Sequence, residues 1–107
     1  MKFQNLNDFP EKEMFPGYFG KFVHGEKMSV AFWNIKAGST VPLHHHIHEQ
    51  VMHVVDGQFE FTVDGNTKVC GPGEIIVIPS NVPHTGTAVT DCRVIDVFQP
   101  VREDYRV

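Results

Sequence analysis

Residues 44–63 read HHHIHEQVMHVVDGQFEFTV, a histidine cluster followed by two short apolar runs with an Asp-Gly pair between them. In the second run, apolar residues stand at 59, 61 and 63 and alternate with polar ones, which is the period of a strand with one buried face. An Asp-Gly pair between two such runs predicts a β-hairpin. We therefore predict antiparallel β-structure directly after the histidines.

Short strands are predicted along most of the chain, with a turn signal roughly every ten residues. Only the segment that begins at Asp8 has the character of a helix start, with Asp8 as a candidate cap. The continuous apolar run at 75–78 is typical of a strand buried on both faces. About eight strands predict an all-β domain built as a small sandwich or barrel. Besides the extended histidine segment, these strands are placed at 28–35, 51–55, 58–63, 67–70, 75–78, 84–89 and 93–98.

The composition fits one domain and excludes several classes of function. Of the 107 residues, 41% are hydrophobic and 11% aromatic, which is enough to build a core. A net charge of −4 without a basic run excludes nucleic acid as an expected partner. The N-terminus carries no apolar signal segment and no stretch is long enough to span a membrane, so we expect a cytoplasmic protein. Two cysteines, Cys70 and Cys92, do not indicate a disulfide framework.

The histidine cluster has the spacing of a metal site. One face of an extended strand would carry every second residue of the segment, namely His44, His46, His48 and Gln50. Two imidazoles two positions apart can bind one ion at about 2.0–2.1 Å, so His44 and His46 form a natural pair of ligands. Because one strand cannot surround an ion, a further ligand must come from a neighbouring strand. His84, which opens a strand after a turn, is the best candidate.

Other interpretations of these histidines stay open. The cluster could be a solvated loop with chance histidines, and Glu49 competes with Gln50 as the oxygen ligand. Strand parity favours Gln50. His24 and His53 are predicted to be core or surface residues, since the first lacks ligand-type neighbours and the second has the opposite parity.

The last predicted strand places an acid among apolar residues, because Val94, Asp96 and Phe98 share one face. A carboxylate is rarely buried without a partner or a purpose, so Asp96 is a candidate acid or base inside the barrel. Arg102, just beyond this strand, could hold a substrate carboxylate through two parallel hydrogen bonds. The alternatives are an edge strand with a solvated Asp96, and a surface arginine.

The motifs around these residues resemble those of the cupin family. Residues 38–57 follow G-x5-H-x-H-x3-Q-x6-G, which is similar to the first cupin motif, G-x5-H-x-H-x(3,4)-E-x6-G. Residues 73–84 follow G-x5-P-x-N-x2-H, which is similar to the second, G-x5-P-x-G-x2-H-x3-N. The resemblance implies a single cupin domain, a double-stranded β-helix or jelly-roll barrel at 28–107, with a short N-terminal extension at 1–27. It also implies one divalent metal at the motif positions His44, His46, Gln50 and His84.

Three positions depart from the cupin motifs. Gln50 stands where Glu is usual, Asn81 where Gly is usual, and Ala88 where Asn is usual. Asn visits the left-handed backbone more readily than most residues. A neutral Gln leaves a divalent ion its full positive charge, which favours Lewis-acid chemistry and an anionic ligand. Three histidines and one oxygen suit Ni, Zn, Mn, Fe, Co or Cu, and the sequence does not choose among them.

The combination of H-x-H-x-H-E-Q, P-S-N-V-P-H and D-x-F-x-P-x-R-E-D resembles the KdgF group of pectin-degradation cupins. That group converts ring-form 4,5-unsaturated uronates, released from pectin or alginate, into the linear keto form. Carried over to this chain, the resemblance implies Asp96 as the catalytic residue, with Phe98 and Arg102 as substrate-binding residues. His48, which has the inward parity, is expected to support the ligands or to line the pocket, where it would be a third substrate-binding residue.

Two other classes of function remain as alternatives. One is an oxygenase or another isomerase that uses the same metal site, and the other is a non-enzymatic module that binds a sugar or metabolite. A small anionic sugar, a uronate, is the expected partner of the enzyme. A homodimer is the expected assembly. The aromatic stretch FPGYF at 15–19 is then a dimer contact, a lid over the barrel or part of the core.

Overall fold

Ten β-strands make up nearly all the regular structure of residues 1–106, the part of the chain that the computed structural model describes. The helical segments in those residues are two single 3-10 turns, Leu6–Asp8 and Glu103–Tyr105. The predicted all-β class is therefore confirmed. The strands are β1 (Lys12–Phe15), β2 (Tyr18–His24), β3 (Ser29–Ile35), β4 (Thr40–His44), β5 (Glu49–Asp56), β6 (Phe59–Val63), β7 (Asn66–Cys70), β8 (Ile75–Ile78), β9 (His84–Ala88) and β10 (Cys92–Gln99).

The strands form two antiparallel sheets with the core between them. The larger sheet has the order β1-β2-β3-β10-β5-β8, and the smaller sheet has the order β4-β9-β6-β7. From β3 onwards the chain crosses repeatedly between the sheets, which is the jelly-roll arrangement that the motifs predict. No helix within residues 1–106 is long and apolar enough to cross a membrane.

Side chains alternate between the core and the outer surface along the central strands. In β10, Val94, Asp96 and Phe98 are all buried, as the period-two pattern predicts. This strand lies between β3 and β5, so its inner face meets residues of both neighbours. Val94 pairs with Trp33 on one side and with Val54 on the other. The register therefore decides which side chains meet inside the barrel.

The predicted hairpin at Asp56-Gly57 is wrong, because β5 and β6 lie in different sheets. The turn there carries the chain from one sheet to the other, and Gly57 has a φ of 88°. The hairpin lies one turn later, where Asp64 and Gly65, with φ of 49° and 78°, join β6 to β7. Two left-handed residues in a two-residue loop are typical of a type I′ hairpin.

The prediction that residues 75–78 form a strand buried on both faces is also wrong. These residues form β8, but β8 is the edge of the larger sheet. Its side chains Ile75 and Val77 are 61% and 59% exposed, while Ile78 is fully buried. A continuous apolar run therefore marks an edge strand here, with one covered face and one exposed face.

The helix predicted to start at Asp8 is wrong, because the single 3-10 turn of this segment, Leu6–Asp8, ends at that residue. The cap of this turn is Asn5, whose side chain accepts a hydrogen bond of 2.9 Å from a backbone amide of the turn. Phe9 precedes Pro10 and takes an extended conformation, because proline disfavours helical geometry in the residue before it. The turn therefore stops, and β1 begins two residues after the proline.

The N-terminal segment extends the larger sheet, since β2 pairs with β3 along its whole length and β1 pairs with β2. Tyr18 is 4% exposed, and its hydroxyl donates a hydrogen bond of 2.9 Å to Gly86 O. This part of the aromatic stretch therefore packs in the core. The boundary between an extension at 1–27 and a barrel at 28–107 falls in the turn from β2 to β3 and stays a prediction.

We predict that Gly57→Ala destabilises the fold more than Gly73→Ala does. Both glycines have a positive φ, 88° and 86°, so alanine is strained at each. A Cβ at Gly57 would also lie 2.2 Å from Asp91 O, whereas a Cβ at Gly73 meets nothing within 4 Å. We expect the free energy of unfolding in urea to fall by roughly 2–5 kcal/mol for the first and roughly 1–2 kcal/mol for the second. Equal losses would contradict the steric part of this account.

Candidate active site

The two sheets enclose a cavity whose lining is largely apolar, with aromatic side chains such as Tyr18, Trp33 and Phe61 in its wall. A concave apolar pocket with a few convergent polar groups is typical of a small-molecule site. The charged, imidazole and amide side chains of the lining are His44, His46, Gln50, His84, Asp96 and Arg102. These are six of the eight residues that the sequence predicts for the site, and Phe98 is a seventh.

Three histidines converge at the wall of this cavity. The register of β4 and β9 places His44 opposite His84, with ring centroids 4.3 Å apart. His46 completes the group, with its ring centroid 4.9 Å from that of His84. One ligand nitrogen of each ring lies within 4.8 Å of the other two, so the three residues could hold one metal ion together.

The continuous strand predicted through the histidine segment is wrong in its middle. β4 ends at His44, β5 begins at Glu49, and the chain bends between them. His46 therefore reaches the site from a loop and not through strand parity. The backbone N–H of Asn81 donates a hydrogen bond of 2.8 Å to His46 O, which connects this loop to the turn before β9. Asn81 has a φ of 62°, the left-handed conformation that the motif position calls for.

All three rings hold the same tautomer. In each ring Nδ1 faces a backbone carbonyl oxygen, and because a carbonyl only accepts, Nδ1 carries the hydrogen and Nε2 keeps a lone pair. His84 Nε2 is buried without a hydrogen-bond partner within residues 1–106, as expected of an atom that binds a metal. The Nδ1 contacts are 2.7 Å from His44 to Pro42 O, 3.1 Å from His46 to His48 O and 2.8 Å from His84 to Val82 O.

Gln50 adds an oxygen to this group. It is 5% exposed, and its Nε2 donates a hydrogen bond of 2.9 Å to Asp96 Oδ1. Its Oε1 lies 3.2 Å from His46 Nε2. With the His46 hydrogen on Nδ1, two lone pairs face each other across that distance, an arrangement that a cation between them would stabilise. Glu49, the competing oxygen ligand, is exposed.

The electrostatics keep the histidines available as ligands. Burial lowers the pKa of His46 to about 4, with further lowering from the charge of Arg102 and from the neighbouring histidines. Burial also lowers the pKa of His84. Both rings are therefore neutral at pH 7, which is the form that binds a metal. Three imidazole nitrogens and one amide oxygen match the ligand preferences of divalent transition metals, so these residues fit the implied ion.

Asp96 is an internal carboxylate. It is 8% exposed in β10, a central strand of the larger sheet, so the interpretation as a solvated edge residue is wrong. Its Oδ1 accepts the hydrogen bond from Gln50, and its Oδ2 accepts one of 3.0 Å from Trp33 Nε1. Burial raises the pKa of Asp96 to about 6, against the lowering effect of these hydrogen bonds and of Arg102. The carboxyl group can therefore exchange a proton near neutral pH.

Arg102 lies against aromatic rings, so its interpretation as a surface residue is wrong. It is 6% exposed, and its Cζ lies 4.6 Å from the ring centroid of Phe98 and 3.9 Å from that of Tyr105. Phe98 is 2% exposed and also meets the His46 ring edge-on, with centroids 5.7 Å apart. Two of the three predicted substrate-binding residues, Phe98 and Arg102, thus line the cavity beside the histidines.

The remaining histidines lie outside the cavity lining. The His48 ring centroid is 6.3 Å from that of Phe98, and its Nδ1 is buried without a hydrogen-bond partner in residues 1–106. His48 therefore supports the wall of the site, and its contact with a substrate stays a prediction. His24 binds a serine hydroxyl at the turn between β2 and β3, and His53 lies on the face of β5 opposite to the buried residues.

Sequence reasoning missed three residues that contact Asp96 or Arg102, which are Trp33, Asp104 and Tyr105. Trp33 donates to the buried carboxylate, whereas the other two contact Arg102. Strand alternation in β3 could have placed Trp33 inside, because it has the parity of other apolar residues there. The other two follow the last strand, where no periodicity indicates the direction of a side chain.

We predict that His46→Ala removes metal binding and that His45→Ala does not. The two residues are adjacent, but His46 belongs to the converging triad while His45 is exposed and outside it. Loss of a direct ligand should weaken affinity by more than the roughly 10–100-fold that outer-shell changes cost. Titration calorimetry and elemental analysis of metal-loaded protein measure this. Equal metal content in the two variants would contradict the assignment.

Comparison with known proteins agrees with this fold. The cupin domain family matches residues 31–98. The pectin degradation protein KdgF of Dickeya dadantii is 26% identical over 102 residues, which cover 92% of this chain and 93% of that protein. The structure of KdgF from Halomonas sp. superposes with a TM-score of 0.90 at 28% identity, over 97% of each chain. An RmlC-like cupin from Shewanella frigidimarina gives a TM-score of 0.92 at 27% identity, over 98% of this chain and 96% of the other. This chain belongs to the cupin family, as a small cupin that resembles KdgF.

Proposed function

We propose that this chain is a metal-dependent enzyme that converts ring-form 4,5-unsaturated uronates, the monomers released from pectin or alginate, into their linear keto form. The observation that carries this is one cavity in which Gln50 joins Asp96 to the histidine triad, while Arg102 lines the same wall. The likeness to two KdgF proteins supports it, since one of them is named for pectin degradation.

The three histidines and Gln50 Oε1 would hold one divalent transition metal, and Ni, Zn, Mn, Fe, Co and Cu are all compatible with these ligands. When bound, the ion would supply Lewis-acid polarisation of substrate oxygens. Because Gln50 is neutral, the ligands carry no negative charge, and a bound divalent ion would keep its full charge to attract an anion. A uronate fits this field, since its carboxylate is ionised at neutral pH.

Asp96 is the proposed acid and base. Ring opening removes the proton of the C1 hydroxyl and breaks the bond from C1 to the ring oxygen, which gives an aldehyde at C1. A proton returned to the former ring oxygen then leaves an enol. The enol becomes a ketone when a proton moves from its oxygen to the neighbouring carbon, so the product is an isomer of the substrate. A carboxyl group with a pKa of about 6 can accept and deliver these protons near neutral pH. The hydrogen bonds from Gln50 and Trp33 hold it in place.

Arg102 is proposed to bind the substrate carboxylate, and Phe98 is proposed to pack against the sugar. The guanidinium is buried against aromatic rings, where a hydrogen bond to an anion is stronger than in water. His48 supports the ring of Phe98 from outside the cavity. The cytoplasmic location and the homodimer stay predictions from the sequence.

We predict that Asp96→Asn lowers turnover by roughly 10²–10⁴-fold, the usual worth of general acid–base catalysis, and leaves the metal content unchanged. The loss of the ring alkene's ultraviolet absorbance measures turnover on unsaturated uronates. Glu60→Gln, which removes a carboxylate from the exposed face of β6, is the matched control and should act like the wild type. Wild-type turnover in Asp96→Asn would show that Asp96 is not the acid or base. Consumption of oxygen by the metal-loaded wild type would favour the oxygenase alternative.

We predict that Gln50→Glu keeps the metal and lowers turnover by roughly 10–100-fold. The substitution replaces the amide that donates a hydrogen bond to Asp96 with a second carboxylate. A hydrogen bond to a charged group, worth roughly 1.5–3 kcal/mol, is then lost. Metal affinity should stay equal or rise, because the ligands gain a negative charge. Gln58→Glu makes the same change at an exposed position and should alter neither quantity. Unchanged turnover in Gln50→Glu would show that the Gln50–Asp96 contact is not needed.

A further inference from the structure

The segment after β10 folds back against the cavity through contacts that the proposed function does not use. The Arg102 amide donates a hydrogen bond of 2.8 Å to Ser29 Oγ, and Ser29 is 2% exposed. The 3-10 turn Glu103–Tyr105 then returns Tyr105 to the core, where it is 9% exposed. This path of the backbone brings the side chains of Arg102 and Asp104 together.

Asp104 binds one edge of the Arg102 guanidinium. Nε donates to Asp104 Oδ1 at 3.0 Å, and Nη2 donates to Asp104 Oδ2 at 2.7 Å. A guanidinium has five N–H donors in one plane, so this pair of hydrogen bonds leaves Nη1 and the second hydrogen of Nη2 on the adjacent edge. The Asp104 side chain is 58% exposed and that of Arg102 only 7% exposed, so Asp104 holds the guanidinium from its solvent side.

Aromatic rings restrict the same guanidinium, since Phe98 and Tyr105 lie 4.6 Å and 3.9 Å from Arg102 Cζ. Such stacking sets the plane of the guanidinium but not its rotation within that plane. The two hydrogen bonds to Asp104 set that rotation, because its carboxylate oxygens accept from two specified nitrogens, Nε and Nη2. They also give the buried charge a partner, without which burial would be costly.

We propose that Asp104 is a positioning residue that presents the Nη1–Nη2 edge of Arg102 to the carboxylate of the ligand. This rests on the proposed function, because it takes the carboxylate of a uronate as the group that binds this edge. Two carboxylates can share one guanidinium when each forms parallel hydrogen bonds with a different edge. Selectivity for a charged sugar then depends on a residue outside the cavity lining.

The test measures binding of D-galacturonate and of its neutral methyl ester to the metal-loaded protein by titration calorimetry. Asp104→Asn should weaken galacturonate binding roughly tenfold and change the affinity for the ester less than twofold. Asp104→Glu, which keeps the charge, should recover most of the galacturonate affinity. Weakening of both ligands by the same factor would overturn the proposal, because it would indicate a general structural role.

Glu103→Gln is the matched control. It removes one carboxylate from the neighbouring position, where Glu103 pairs with Arg106 at the surface, so both affinities should match the wild type. A double-mutant cycle then tests whether Asp104 acts through Arg102. In the Arg102→Ala background, Asp104→Asn should cause no further loss of galacturonate affinity. A full tenfold loss in that background would overturn the positioning role.

Galacturonate lacks the 4,5 double bond, so these measurements do not depend on turnover. A wild type that binds galacturonate through Arg102 and Asp104 but does not isomerise unsaturated uronates would contradict the proposed function alone. A wild type that isomerises them while Asp104→Asn behaves like Glu103→Gln would contradict the positioning role alone. Absence of saturable galacturonate binding to the wild type would also overturn the positioning role.

Discussion

The hydrogen bond from Gln50 Nε2 to Asp96 Oδ1, 2.9 Å long, is the interaction on which the rest of the site depends. It orients the amide so that Oε1 faces His46, and it holds one oxygen of the buried acid at the same time. A glutamate at position 50 has no hydrogen to donate, so it would place two carboxylates face to face. Gln50, which departs from the usual cupin motif, and Asp96 on the last strand therefore depend on each other.

The register of two neighbouring strands makes this contact possible. Gln50 pairs with Phe98 and Met52 pairs with Asp96, so Gln50 and Asp96 are diagonal neighbours on the inner face of the larger sheet. Diagonal pairs lie within reach of long side chains, and glutamine spans the gap to the short aspartate. A shift of β10 by one residue in this pairing would turn Asp96 and Phe98 to the outside.

Most strands from β3 onwards and most of the candidate site could be predicted from the sequence, because a period of two decides which side chains share a face. The strands β1 and β2 could not be predicted, since their residues show no such period. The inward direction of Val94, Asp96 and Phe98 is an example. Sheet membership could not be predicted, since an Asp-Gly pair such as 56–57 indicates a turn and not which sheet follows. The bend that brings His46 into the site and the turn that returns Tyr105 depend on tertiary contacts, which a local pattern does not contain.

The four proposed metal ligands come from different parts of the barrel, with His44 and His84 in the smaller sheet, Gln50 in the larger sheet and His46 in the loop that connects them. An ion held by all four would cross-link the sheets, and the unfolded chain would not offer this set. Occupancy and folding are then thermodynamically linked, and an ion present at 100 times its dissociation constant would add about 2.7 kcal/mol to stability. The abundance of the folded protein in a cell would in this way follow the supply of metal, even before any substrate is present.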